Sequence, residues 1–228
     1  MKINSDILLL YAVTDRSFLG TQTLLEQLES AIKGGVTCVQ LREKEMKEEE
    51  FLKEAIKVKD LCKKYQIPLI INDNVNIAIA CDADGVHLGQ SDMGIAEARK
   101  LLGKDKIIGA TAKTIEQAKK AYAEGADYLG SGAMFGSTTK KDAIPMTKER
   151  LKEIVNSVPI PVVAIGGIHK GNISELSNTG IKGVALVSGI FAAEDIEEEC
   201  RILKEESLKI KKSFAPTSYK KVTTERNT

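Results

Sequence analysis

The sequence predicts an α/β fold: a single closed barrel of eight parallel strands, each followed by a helix. Three observations predict it. Short apolar, β-branched runs alternate strictly with amphipathic helical patterns, eight of each, over about residues 7–210. The strand runs are almost continuously hydrophobic, as parallel strands covered on both faces must be. The chain has 228 residues, close to the usual length of a (β/α)8 TIM barrel, whereas a doubly wound open sheet rarely needs eight regular units in that span.

The elements follow in order. Strands are expected at 7–13 (ILLLYAV), 36–41 (VTCVQL), 68–71 (PLII), 84–88 (DGVHL), 106–110 (KIIGA), 126–131 (ADYLGS), 161–165 (PVVAI) and 182–187 (KGVALV). Leu24, Leu25, Leu28, Ala31 and Ile32 recur at helical spacing after the first, and Phe51, Leu52, Ala55, Ile56, Val58 and Leu61 after the second. Further helices are expected at 75–80, 94–102, 114–123, 147–156 and 171–178, with a last one from about 189 to 210. Gly34-Gly35, Gly125 and Gly180 stand where helices should stop before the next strand. No linker interrupts residues 1–210, so they read as one domain. Residues 211–228, rich in Lys, Ser and Thr, read as a mostly disordered tail.

Composition bounds the function. Lysine plus arginine number 33 against 32 acids, a net charge of +1, which argues against bulk capture of nucleic acid or membrane. The four cysteines, Cys38, Cys62, Cys81 and Cys200, are far apart and lack metal-ligand spacing; they read as reduced thiols of a cytoplasmic protein. No apolar run approaches membrane-spanning length, and the N-terminus reads as a first strand. The composition is compatible with a homo-oligomer and specifies none.

In such a barrel the chemistry belongs at the carboxyl ends of the strands. Polar residues follow each of them: Thr14-Asp15-Arg16, the QLREK run (Gln40, Leu41, Arg42, Glu43, Lys44), Asn72-Asp73-Asn74, Gly89-Gln90-Ser91-Asp92, Thr111-Ala112-Lys113, the GSTTKK loop at 136–141, Gly166-Gly167 and Val187-Ser188. Taken singly, each has a plainer reading: Asp73 as a turn former, Lys44 as part of a charged face, Gly166-Gly167 as a turn, His87 as a hydrogen-bonded core residue. Together they sort by charge. Asp73 and Asp92 end adjacent strands, and two carboxylates plus substrate phosphates are the usual holder of Mg²⁺. Arg42, Lys44 and Lys140 could neutralise a diphosphate. Gly166-Gly167 with Val187-Ser188 match the phosphate site that barrels build after strands seven and eight. No Ser, Cys or His is paired for covalent catalysis.

The motifs YAVTD (11–15), QLREK (40–44), INDN (71–74), GVHLGQSD (85–92), GADYLGSG (125–132) with TTKK (138–141), VVAIGGI (162–168) and GVALVSGI (183–190) resemble, in order and spacing over about residues 6–200, the thiamine phosphate synthase family. The resemblance implies a Mg²⁺-dependent transfer of hydroxymethylpyrimidine from its diphosphate to hydroxyethylthiazole phosphate. It implies that Gln40, Leu41, Arg42, Glu43, Lys44, Asn72, Thr111 and Lys140 serve the pyrimidine diphosphate, with Arg42, Lys44 and Lys140 catalytic. It assigns Asp73 and Asp92 to Mg²⁺, and Ser137, Thr138, Thr139, Gly167, Val187 and Ser188 to the thiazole phosphate. Three places depart from the family pattern: Thr111 replaces a serine, Lys113 a histidine, and the loop after strand six lacks two prolines, which loosens it. The rival expectations are a thiazole tautomerase, which would not need the diphosphate and metal ligands, and a non-catalytic sensor of thiamine precursors.

Overall fold

A computed structural model describes residues 3–136 and 145–213. Eight parallel strands close in sequence order, β1 (Leu10–Val13), β2 (Cys38–Leu41), β3 (Leu69–Asn72), β4 (Gly85–Leu88), β5 (Ile107–Thr111), β6 (Tyr128–Gly132), β7 (Val162–Ile165) and β8 (Gly183–Leu186), with β8 pairing back onto β1. The register joins Tyr11 to Cys38 on one side and to Ala185 on the other. The α/β barrel expected from the alternation is therefore the fold.

Around it lie α1 (Leu24–Lys33), α2 (Glu48–Lys64), α3 (Val75–Ala80), α4 (Ile95–Leu102), α5 (Ile115–Ala123), α6 (Lys148–Ser157), α7 (Ser188–Phe191) and α8 (Ile196–Ser213). Their starts are chemically marked. The Thr23 hydroxyl accepts from the Glu26 N–H while the Glu26 carboxylate accepts from the Thr23 N–H, a reciprocal cap that satisfies two otherwise orphaned donors. Asn74, Thr114 and Thr147 cap α3, α5 and α6. After α5, Gly125 adopts φ 100°, the left-handed stop expected there.

Three expected elements differ. The first strand is shorter, because Ser5–Leu8 form a 3-10 turn capped by Asn4, and Leu8 plugs the lower end of the barrel. The helix expected at 171–178 is only a 3-10 turn, Ile173–Leu176. Gly171, Asn172, Ser174, Ser177 and Asn178 all compete poorly for helix, so only the two buried anchors, Ile173 and Leu176, hold that segment. The last helix is split, since the Asp195 carboxylate accepts from the Glu198 N–H and starts α8 afresh. α8 runs to Ser213, so the first three residues of the expected tail are helical; residues 214–228 lie outside the described ones.

Strand alternation makes two cores. Odd positions of β1, including Tyr11 and Val13, point inward with Leu8, Cys38, Ile70, Tyr128, Val163 and Ala185. The alternate positions, such as Ala12 on β1 and Val39 and Leu41 on β2, point outward and pack under the helices. All four cysteines are buried and free. Burial pushes the Cys38 thiol well up and those of Cys62 and Cys200 to about 12, so they serve as small hydrophobes. No helix among the described residues is long and apolar enough to cross a membrane.

Candidate active site

The carboxyl ends of the strands surround a cavity of about 300 Å³. Its wall is built by the period-two alternation continuing past β2. Gln40, Arg42 and Lys44 line the cavity. Leu41 and Glu43, expected as part of the same run, do not: Leu41 is fully buried under the helices, and Glu43 turns back to bind Arg16 at 2.9 Å. Burial raises the Glu43 carboxyl despite that partner. Neither side chain reaches the cavity, because neighbouring positions of a strand face opposite sides.

The YAVTD segment positions Arg42. The Thr14 hydroxyl accepts from the Arg42 N–H at 2.9 Å. Asp15 accepts from Ser17 with one carboxylate oxygen and from Arg42 Nη1 at 3.1 Å with the other. Burial works against the Asp15 charge, but the Ser17 hydrogen bonds and the Arg42 guanidinium hold its carboxyl below the usual range. Sequence reasoning placed Thr14 and Asp15 on the rim without seeing this service to Arg42.

Asp73 follows β3 in a left-handed conformation, φ 64°, and its N–H bonds the His87 carbonyl at 2.8 Å. That turn aims the carboxylate at two neighbours, the Lys44 ammonium and the carboxyl of Asp92. Asp92 is held in turn by the Gly89 N–H at 2.6 Å. Burial raises the Asp92 carboxyl, and the adjacent Asp73 charge raises it further. Burial also works against the Asp73 charge, but hydrogen bonds from Asp92 and Lys44 keep its carboxyl below the usual range. Two carboxylates this close repel when both are charged, a repulsion that a divalent cation could relieve. Among the described residues no group of three or more His, Cys, Asp or Glu is placed to hold a metal. Two carboxylates with room left for phosphate oxygens and water is a donor set that fits Mg²⁺.

Asn72 and Thr111 also line the cavity. His87 was read as a core residue; it is hydrogen-bonded as expected, yet its ring lies on the cavity wall between Tyr128 and Thr111. Tyr11, Gln90 and Lys113 join the wall as well. Only the inward parity of Tyr11 and His87 on their strands could have revealed them in advance.

Opposite the acid pair are Gly166, Gly167, Val187 and Ser188. Gly166 and Gly167 have φ 101° and 64°, and the chain leaving β6 lies directly on them. A methyl group at Gly167 would stand 2.5 Å from the Phe135 carbonyl oxygen, and one at Gly166 would stand 2.6 Å from the Ala133 Cα. The Phe135 N–H donates to the Gly166 carbonyl at 3.0 Å, tying the two turns together. The loop residues Ser137, Thr138, Thr139 and Lys140 lie outside the described residues.

A closed parallel barrel with a cavity at the carboxyl ends of its strands, lined by charged and polar side chains among others, belongs to the class of (β/α)8 barrel enzymes. Within that class the chain belongs to the thiamine monophosphate synthase family, whose sequence model matches residues 10–190. It is 52% identical over 194 residues to a thiamine-phosphate synthase of Clostridium acetobutylicum, covering 85% of this chain and 92% of that one. It is 51% identical over 197 residues to that of Clostridium botulinum, covering 86% and 92%. A solved thiamine phosphate pyrophosphorylase from Pyrococcus furiosus superposes with a TM-score of 0.83 at 37% identity, covering 90% of this chain and 98% of the other.

Proposed function

We infer that the chain is a thiamine-phosphate synthase, a transferase that joins the hydroxymethylpyrimidine group of its diphosphate to the nitrogen of hydroxyethylthiazole phosphate. Family membership and the relatives' names support the activity. The observation that carries the site reading is the apposition of Asp73 and Asp92, with Lys44 on the pair and Arg42 on the same wall. A thiazole tautomerase would have no use for that cluster.

In this reading Arg42 and Lys44 bind the diphosphate, Arg42 being held in place by Asp15 and Thr14. Lys140, beyond the described residues, is assigned to the same group. Asp73 and Asp92 would hold Mg²⁺, which would supply positive charge for a leaving diphosphate. With a cation on the acid pair, the Lys44 ammonium now paired with Asp73 would be available to the diphosphate. Gln40 and Asn72 orient the pyrimidine. Gly167, Val187 and Ser188 offer backbone N–H groups and a hydroxyl to the thiazole phosphate, and Ser137, Thr138 and Thr139, outside the described residues, are assigned to the same substrate. The diphosphate leaves first, because cations stabilise it and, among the described residues, no side chain is placed as a nucleophile. The resulting pyrimidine cation is captured by the thiazole nitrogen. The test is diphosphate release with both substrates, with and without Mg²⁺. Release that requires both substrates and the metal supports the reading; binding without release would leave a sensor.

A further inference from the structure

Inside the barrel, five polar groups form one unbroken chain across the cavity floor. Gln40 Nε2 donates to the Tyr11 hydroxyl at 2.7 Å. The Tyr11 and Tyr128 hydroxyls are 2.8 Å apart. The Tyr128 hydroxyl is 3.0 Å from His87 Nδ1, and His87 Nε2 is 3.1 Å from the Thr111 hydroxyl.

Proton counting gives this chain a direction. The Gln40 amide nitrogen can only donate, so Tyr11 accepts there and its single proton goes to Tyr128. Tyr128 then has one proton left, and the acceptor in line with it is His87 Nδ1. A neutral imidazole that accepts at Nδ1 carries its proton on Nε2. That proton goes to the Thr111 oxygen. The Thr111 hydroxyl proton is then left over, on a side chain that lines the cavity. Among the described residues it has no acceptor.

We propose that Tyr128 is a positioning residue: its hydroxyl is the middle link of a one-way hydrogen-bond chain that holds His87 with its proton on Nε2 and so turns the Thr111 hydroxyl proton into the cavity, toward an anion. Tyr128 itself does not border the cavity; it acts through His87 and Thr111. The fold makes room for it. A methyl group at Gly109 on the next strand would fall 2.1 Å from the Tyr128 ring, and one at Gly130 would fall 3.1 Å from His87 Cε1. Tyr11 meets Tyr128 edge-on, with ring centres 6.0 Å apart, which fixes both hydroxyls. That the anion is the pyrimidine diphosphate rests on the function proposed above; the direction of the chain does not.

The test begins with the full-length protein, labelled with ¹⁵N in its histidines. Only two are present, His87 and His169, so a His169→Gln variant assigns both. Nitrogen shifts should place the His87 proton on Nε2. A proton on Nδ1, or a mixture, overturns the proposal whatever the activity, and this measurement needs no change near the site. Tyr128→Phe keeps the ring and deletes the link. It should mix the His87 tautomers and lower kcat about tenfold, the size of one lost hydrogen bond. The loss falls on kcat more than on KM, since a donor to a leaving anion strengthens as its charge develops. In a Thr111→Val background the same change should cost less than about twofold, because the two residues act as one unit. An equal loss in both backgrounds overturns the route through Thr111. If the wild-type protein releases no diphosphate yet keeps the Nε2 proton, the reaction assignment fails and the chain stands.

Discussion

The Asp73 and Asp92 carboxyls, carried by the ends of neighbouring strands, meet and share a hydrogen bond, so each sets the other's proton affinity in opposite directions. Like charges brought this close are costly in an empty site and useful in one that receives a cation.

Asp73→Asn should lower diphosphate release by about a hundredfold or more, the scale of losing a group that stabilises developing charge. Asn is the informative replacement because it tolerates the left-handed backbone found at Asp73, φ 64°. Steady-state release and a thermal melt, run together, separate lost chemistry from lost structure. Lys140→Ala should cripple release likewise.

Asp92→Asn should stabilise the metal-free fold at neutral pH while abolishing turnover. The Asp92 carboxyl titrates above its ordinary value of 3.8, so it favours the fold when protonated. That contribution is complete below 3.8 and is lost as pH rises through the raised value in the native state. Asparagine donates a permanent hydrogen bond to Asp73 and removes the loss. The melting midpoint near pH 7 should rise by about 2–4 °C for each kcal/mol recovered. Melts at several pH values check the sign: the gain should shrink toward acid.

Asp15→Asn should raise KM for the pyrimidine diphosphate about tenfold, as losing an orienting partner does. Arg42 keeps its charge but loses the carboxylate that fixes its guanidinium. An unchanged KM would show that Arg42 orients itself without Asp15.

Gly167→Ala should cost stability on the scale of about 1–3 kcal/mol for a strained backbone position. The added methyl meets the Phe135 carbonyl at 2.5 Å. KM for the thiazole phosphate should rise more than KM for the pyrimidine diphosphate, which a two-substrate kinetic comparison reads directly.

Deleting residues 214–228 should leave turnover intact, because the cut falls after α8. Cutting at 212 should lower the melting midpoint, since the Ser213 hydroxyl accepts from the Asn178 N–H at 2.9 Å.

Much of this was legible in the chain. Eight apolar runs spaced by helical patterns favour a barrel, because a doubly wound open sheet rarely needs eight regular units in this length. The rim residues Gln40, Arg42, Lys44, Asn72, Asp73, Asp92 and Thr111 follow from which strand ends precede them, and the structure gathers all seven on one cavity. At 171–178 two buried apolar residues, Ile173 and Leu176, mimic helical spacing in a segment too poor in helix formers to extend beyond a 3-10 turn. Leu41 and Glu43 share the motif, but their side chains face away from the cavity, since a motif is contiguous while a strand faces two ways.

The sequence alone determined the eight βα units, the rim that carries the chemistry and the charge types on it, because periodicity and residue type are local properties. Only the tertiary structure decided which charges meet. Asp73 lies 19 positions from Asp92 and 29 from Lys44, and the pairing of β3 with β2 and β4 sets the three together. The chain from Gln40 through Tyr11, Tyr128 and His87 to Thr111 draws on five strands. Hydrogen-bond direction is a property of all its members at once, and no local pattern encodes it.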